Sequence, residues 1–242
     1  LRKLKLMMLE EIGYASVRGM LHDIDNLPNQ DAYSVKKYKF GTILVVSDGL
    51  GSKKHSDYGS KAVGRAVDRA VQIWNGYVEK DIRLLLPLIV SIWSMEIYPY
   101  SQKDCGATCL FAIITKDGHV YLGQLGDGSI YVSIENEMQL VRKKEDDFSN
   151  LTVCMGGFSS YSDWSLNDIY VGNKSLGIVM MTDGVSETII DEKKESFINL
   201  LFKRLSEHDN LSKRNNFIYK ILSEWKPVSA GDDRTLICYR RR

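Results

Sequence analysis

Apolar residues recur along this chain in two rhythms. Short runs that are apolar at nearly every position, bounded by turn residues, read as strands. They cover Gly13–Arg18, Thr42–Ser47, Thr108–Thr115, His119–Leu125, Ser129–Ile134, Leu176–Thr182 and Thr235–Tyr239. Asp117-Gly118, between two of these runs, is a hairpin turn. Longer stretches with apolar residues three and four apart read as helices over Asp57–Trp74, Ile82–Met95, Lys194–Ser206 and Leu211–Trp225. Strands come first, then a helix pair, a strand meander, two more helices and a closing strand. Hairpin-linked strands make antiparallel sheets, and helices that come in pairs cover them as layers. The expected class is therefore an α+β sandwich rather than a doubly wound α/β fold. Residues 142–173 are polar, rich in glycine and weakly periodic, and are expected to form a surface flap.

Neither a repeat nor a low-complexity linker interrupts the pattern. A single domain is expected over residues 1–242, with 1–12 as an extension ahead of it. The closing Arg240-Arg241-Arg242 reads as a solvated end. Hydrophobic residues make up 44% and charged residues 26%, which suits a globular chain with an ample core. The net charge of +1 supplies no field for nucleic acid or an anionic membrane. The longest apolar run, Leu84–Val90, contains Pro87 and is far short of a membrane span. Cys105, Cys109, Cys154 and Cys238 form no C-x-x-C pair, so neither a zinc site nor a disulfide framework is expected, and a reducing cytoplasmic setting is.

The chemistry concentrates in acidic residues beside glycine. Asp48 (TILVVSDGLGS), Asp127 (YLGQLGDGS) and Asp183 (LGIVMMTDGVSE) each close a strongly apolar strand and precede Gly. A buried strand gives such a carboxylate a rigid support, and the glycine lets backbone approach a ligand closely. Asn29-Gln30-Asp31 and Gly231-Asp232-Asp233 are two further acidic sites. Two carboxylates about 4 Å apart repel by roughly 4 kcal/mol at an effective dielectric near 20, so three or four sharing a site require cations. All-oxygen ligation selects hard ions, Mg²⁺ or Mn²⁺. Competing readings fail on residues: Lys54 stands where a dinucleotide loop needs its third glycine, and no apolar strand precedes Asp23-x-Asp25.

The motifs NQDAY, DGLGS, GATC, GDGS, TDGVSE and GDDRTL, in that order, resemble the metal-dependent type 2C protein serine/threonine phosphatases. SVRGMLHDIDNLPNQDAY is similar to a bacterial branch of that family, and the resemblance spans about residues 13–239. It implies a four-layer sandwich of two central antiparallel sheets flanked by helix pairs. It implies that Asp48 bridges two metals, with the Gly49 carbonyl on the second. Asp183 and Asp232 would complete the first site. Asp31 would serve the second metal or its waters, and Asp127 a third, looser ion. Thr108 would be structural. The implied reaction is hydrolysis of phosphoserine or phosphothreonine on a protein substrate, plausible in a serine/threonine kinase pathway, by an activated water. No G-x-S-x-G or Cys-loop-Arg pattern offers a covalent nucleophile.

Two positions depart from that pattern. Gln30 replaces a glutamate, and Asn26 stands where an arginine would grip phosphate in two-pronged fashion. His22, Lys53 and Lys54 are the candidate replacements. His22 is assigned a catalytic role with Asp31 and Asp48, contacting phosphate or protonating the leaving oxygen. The departures also define the rival reading, a catalytically weak relative that binds phosphoproteins or acts as a scaffold.

Overall fold

A computed structural model describes residues 9–141, 153–157, 160–225 and 231–242. Among these described residues, ten strands form two antiparallel sheets. One contains β1 (Glu10–Val17), β10 (Arg234–Arg241), β9 (Leu176–Met181), β6 (Ser129–Ile134) and β7 (Glu137–Leu140), in that order. The other contains β2 (Ala32–Lys37), β3 (Gly41–Ser47), β4 (Cys109–Thr115), β5 (His119–Leu125) and β8 (Ser165–Tyr170). Helices α2 (Ser56–Trp74) and α3 (Leu85–Glu96) cover the second sheet, while α5 (Asp191–Glu207) and α6 (Leu211–Ser223) cover the first. The expected α+β sandwich of four layers is the observed one.

The near-continuous apolar runs follow from burial on both faces. Along β3, Ile43 and Val45 pack toward α2 and α3, whereas Leu44 and Val46 meet the opposing sheet. Along β10, Leu236 and Cys238 face α5 and α6, and Ile237 and Tyr239 face the other sheet. Three strands escaped the periodic pattern, β2, β7 and β8, and all three are sheet edges. An edge strand buries less of its surface, so its sequence carries a weaker apolar signal.

Two expectations are corrected at the chain ends. The first strand begins at Glu10, pairs from Glu10↔Arg241 to Val17↔Arg234, and buries Ile12 between the sheets. Residues 10–12 are thus part of the sandwich; residues 1–8 lie outside the described residues. The basic tail is no solvated end either. Arg241 is 4% exposed and donates from Nη2 to the Gly172 carbonyl at 2.9 Å, and Arg242 pairs with buried Glu11. Within the expected flap, β8 is a sheet strand paired with β5, while 142–152 and 158–159 lie outside the described residues. Among the described residues no helix is long and apolar enough to cross a membrane.

One close approach ties the helical layer to the end of β3. Helix α2 lies so near the loop before β4 that a Cβ on Gly59 would sit 1.9 Å from the Cys105 carbonyl oxygen. Trp93 of α3 donates its indole N–H to the Gly59 carbonyl at 3.1 Å. The loop held in this way carries Gly106, Ala107 and Thr108, which brace the residues after β3.

Candidate metal centre

The strand ends of the sandwich deliver their carboxylates to one cleft of about 490 Å³, lined by Asp48, Asp127, Asp183 and Asp232 together with Gly49 and His22. Carboxylate oxygens of Asp48, Asp127 and Asp183 lie within 4.8 Å of one another. Asp48 follows β3 and is clamped by Thr108: its amide donates to Thr108 Oγ1 at 2.8 Å and its carbonyl accepts from the Thr108 amide at 2.7 Å. Gly49 sits where a Cβ would fall 2.6 Å from the Ser56 carbonyl oxygen and 2.8 Å from that of Gln30. Here glycine is required by close approach of three backbone segments. Asp127 occupies the turn between β5 and β6, after Gly126 at φ +105°. Asp183 opens the one-turn helix α4 (Asp183–Ser186), and its Oδ1 accepts from the Gly184 amide at 2.7 Å.

Asp31 lies behind this cleft and is buried. Its Oδ2 accepts from Thr182 Oγ1 at 2.9 Å, while Oδ1 has no hydrogen-bond partner among the described residues. Burial, with the charge of Asp233 adding to it, pushes this carboxyl up to about 8. Burial is also the main cause that drives Asp48 well above the ordinary range, followed by the charges of Asp31, Asp183, Asp232 and Asp127. Asp183 rises to about 6, by burial first and then by Asp127 and Asp232. At 4.8 Å two unscreened carboxylates repel by roughly 3 kcal/mol at an effective dielectric near 20. An oxygen-only donor set with mutual repulsion and an orphaned buried oxygen fits a hard divalent cation.

The doublet Asp232-Asp233, which local sequence does not resolve, is separated by burial. Asp232 is exposed in the cleft. Asp233 is 2% exposed and serves as a hub: Oδ1 accepts from the Gly19 amide at 2.7 Å, and Oδ2 from the Gln30 amide at 2.6 Å. The same Oδ2 lies 2.9 Å from His22 Nδ1. Sequence reasoning missed this role of Asp233, and the doublet itself was its only signal. Replacing Asp233 by Ala strands two buried amides and is expected to cost about 2–4 kcal/mol in urea unfolding. Asp232→Ala is expected to leave stability within about 0.5 kcal/mol of wild type and to weaken Mn²⁺ binding in calorimetry. The reverse pattern would exchange the two assignments.

His22 stands on the short helix α1 (Met20–Ile24) at the cleft wall. An ionised carboxylate only accepts, so Nδ1 carries the proton toward Asp233 and Nε2 remains for the cleft. The other candidate cations are placed differently. Lys53 runs its side chain past Gly106, with Cγ 3.2 Å from where a Cβ would lie, and His55 stacks on Tyr100 at 4.0 Å between centroids. Neither Lys53, Lys54 nor His55 lines the carboxylate cleft.

A sandwich of this topology thus carries, at its strand ends, a carboxylate cleft whose oxygen-only donor set fits divalent cations. The chain belongs to the protein phosphatase 2C family, whose model matches residues 18–223. No curated protein matches its sequence. Among solved structures it is similar to the serine/threonine phosphatase Stp1 from Staphylococcus aureus, at 17% identity and a TM-score of 0.69, covering 99% of this chain and 98% of that one. It is similar to RsbX in complex with magnesium at 15% identity and a TM-score of 0.62, covering 98% and 100%. The catalytic domain of the serine/threonine protein phosphatase PstP, in complex with two manganese ions, matches at 14% identity and a TM-score of 0.60, covering 96% and 99%. At these identities the likeness to solved structures is one of fold.

Proposed function

We propose that this chain hydrolyses phosphoserine and phosphothreonine on protein substrates, using two Mg²⁺ or Mn²⁺ ions and a third held more weakly. The observation that carries the reading is the convergence of Asp48, Asp127 and Asp183 within 4.8 Å at the cleft. Asp48, the Gly49 carbonyl, Asp183, Asp232 and Asp31 would hold the two ions, and Asp127 the third. Bound there, the ions lower the pKa of a water and neutralise charge on the phosphoryl oxygens. The chain's own residues do the rest. Thr108 fixes Asp48 through both backbone groups, and Thr182 orients Asp31 beneath the cleft. In its imidazolium form, with a proton on each ring nitrogen, His22 donates from Nδ1 to Asp233 and gives its Nε2 proton to the leaving serine or threonine oxygen, ending as the neutral Nδ1–H tautomer. The four free, buried cysteines fit a reducing cytoplasm, and a serine/threonine kinase pathway fits as the source of substrate.

The test is phosphate release from phosphoserine and phosphothreonine peptides with Mn²⁺, Mg²⁺ or chelator. Metal-dependent turnover is expected. His22→Ala is expected to slow kcat about 100-fold on peptides. An unchanged kcat would remove His22 from the chemistry. Tight phosphopeptide binding without turnover under any divalent ion would overturn the enzyme in favour of a binding domain.

A further inference from the structure

A second concavity lies outside the carboxylate cleft, and the mechanism makes no use of it. It is a groove of about 340 Å³ between the edge strand β2 and helix α2. Its floor is small and polar, with Ser34, Ser47, Ser60 and Gly64. Its walls carry Lys36, Lys61, Arg65 and Arg69 against a single acid, Asp68. These charges are incompletely balanced. Arg65 and Arg69 both reach Glu96, each at 2.6 Å, so one carboxylate serves two guanidinium groups. Lys61 pairs with Asp57 at 3.0 Å, and Asp68 is engaged by the Tyr38 hydroxyl at 2.6 Å. Lys36 has no ion-pair partner among the described residues. Set against Asp57, Asp68 and Glu96, the four cations leave one excess positive charge, carried by Lys36 at the far end of the groove.

Position gives the groove its meaning. It begins at Ala32 and Ser47, each one residue from a carboxylate of the centre, Asp31 and Asp48. It then runs along β2 to Lys36, a span of about 13 Å at roughly 3.3 Å per residue. Among the described residues no strand pairs with the outer edge of β2. An extended chain that leaves the cleft on this side would meet open backbone on one wall and cations on the other.

We propose that the β2–α2 groove docks an extended acidic segment of the phosphoprotein substrate, lying a few residues from the phosphorylated one. The proposal rests on the phosphatase reading for the identity of that partner. A concavity between an edge strand and a helix, starting one residue in sequence from Asp31 and Asp48, suits a polypeptide better than a nucleic-acid duplex or a lipid surface. The anchoring is electrostatic and mostly solvent-exposed, so it is sensitive to salt.

The experiment compares two phosphopeptides identical except for a run of Asp and Glu, or of Asn and Gln, placed four to eight residues from the phosphoserine on either side. The wild-type enzyme with Mn²⁺ is expected to show about a tenfold lower KM for the acidic peptide, with the advantage gone in about 0.5 M NaCl. The double variant Lys36→Ala/Lys61→Ala is expected to lose that preference while keeping wild-type kcat/KM on p-nitrophenyl phosphate, which does not reach the groove. Equal KM values for the two peptides on wild type, or a preference that survives in the variant, overturn the proposal. If p-nitrophenyl phosphate is not hydrolysed at all, the phosphatase reading fails by itself. Docking is then read by fluorescence anisotropy of the labelled acidic peptide: binding that weakens in the variant supports the groove, and no binding overturns it. Equal or tighter binding of a DNA oligonucleotide or of phosphatidylserine vesicles, lost in the same variant, would also overturn the assignment to acidic protein segments.

Discussion

Asp48→Asn yields a folded protein whose Mn²⁺-dependent turnover falls about a thousandfold or more, a loss of roughly 4 kcal/mol of transition-state stabilisation. The substitution keeps the shape of the side chain and leaves both backbone bonds to Thr108 available. What it removes is the charge at the centre of the acidic cluster. Asp48 is the one carboxyl whose ionisation is opposed by all four neighbours, Asp31, Asp183, Asp232 and Asp127, and so the one closest to all of them electrically. A neutral amide there would hold a divalent cation far more weakly than a carboxylate. It also relieves repulsion, so metal-free Asp48→Asn is expected to melt no lower than metal-free wild type at pH 8. Activity and stability therefore move in opposite directions. Asp48→Asn enzyme that kept a tenth of wild-type turnover would remove Asp48 from the centre, and a variant that failed to fold would show that the charge has a structural use instead.

Divalent metal stabilises the protein far more at pH 8 than at pH 5.5. Asp31 at about 8, Asp183 at about 6 and Asp48 well above its ordinary value are all raised relative to the unfolded chain. A raised carboxyl holds its proton in the folded state after the unfolded chain has released it. That contribution to stability is complete below about pH 4 and is lost as pH climbs through about 6 and then about 8. Metal-free protein should thus weaken across this window. A cation displaces those protons and offsets the repulsion, so its effect grows over the same range. With Mn²⁺ at about 100 times its Kd, roughly 2.7 kcal/mol of stabilisation is expected at pH 8, a rise in Tm of about 5–10 °C. At pH 5.5 the rise should be less than half of that, and chelator should reverse both. Scanning calorimetry at the two pH values measures it. A metal effect independent of pH would mean that these carboxyls do not bind the ion.

Much of the sandwich was legible because its central strands are buried on both faces. Runs such as Ile43–Val46 and Leu110–Ile114 are apolar without interruption because a helix layer lies on one side and a sheet on the other. The edges were not legible. Tyr33, Lys36 and Lys37 of β2 are exposed, and most of β8 is no more than half-buried, so neither shows a pattern that sets it apart from a loop. Glu10 and Glu11 read as the end of an extension. In the fold their charges are met by Lys37, Arg214 and Arg242, groups far away in the chain.

The same division runs through the carboxylate cleft. Asp48, Asp127 and Asp183 announced themselves, since an acid between an apolar strand and a glycine is a local arrangement that one stretch of sequence contains in full. The choice between Asp232 and Asp233 was not local. It depends on where Gly19, His22 and Gln30 arrive, more than 200 residues away in sequence. Strand periodicity and turn chemistry act over a few neighbours, so a linear reading captures them. Burial, the repulsion that lifts Asp31 and Asp48, and the pairing of β2 with a basic helix arise only when distant segments are brought together, and the tertiary structure alone decided them.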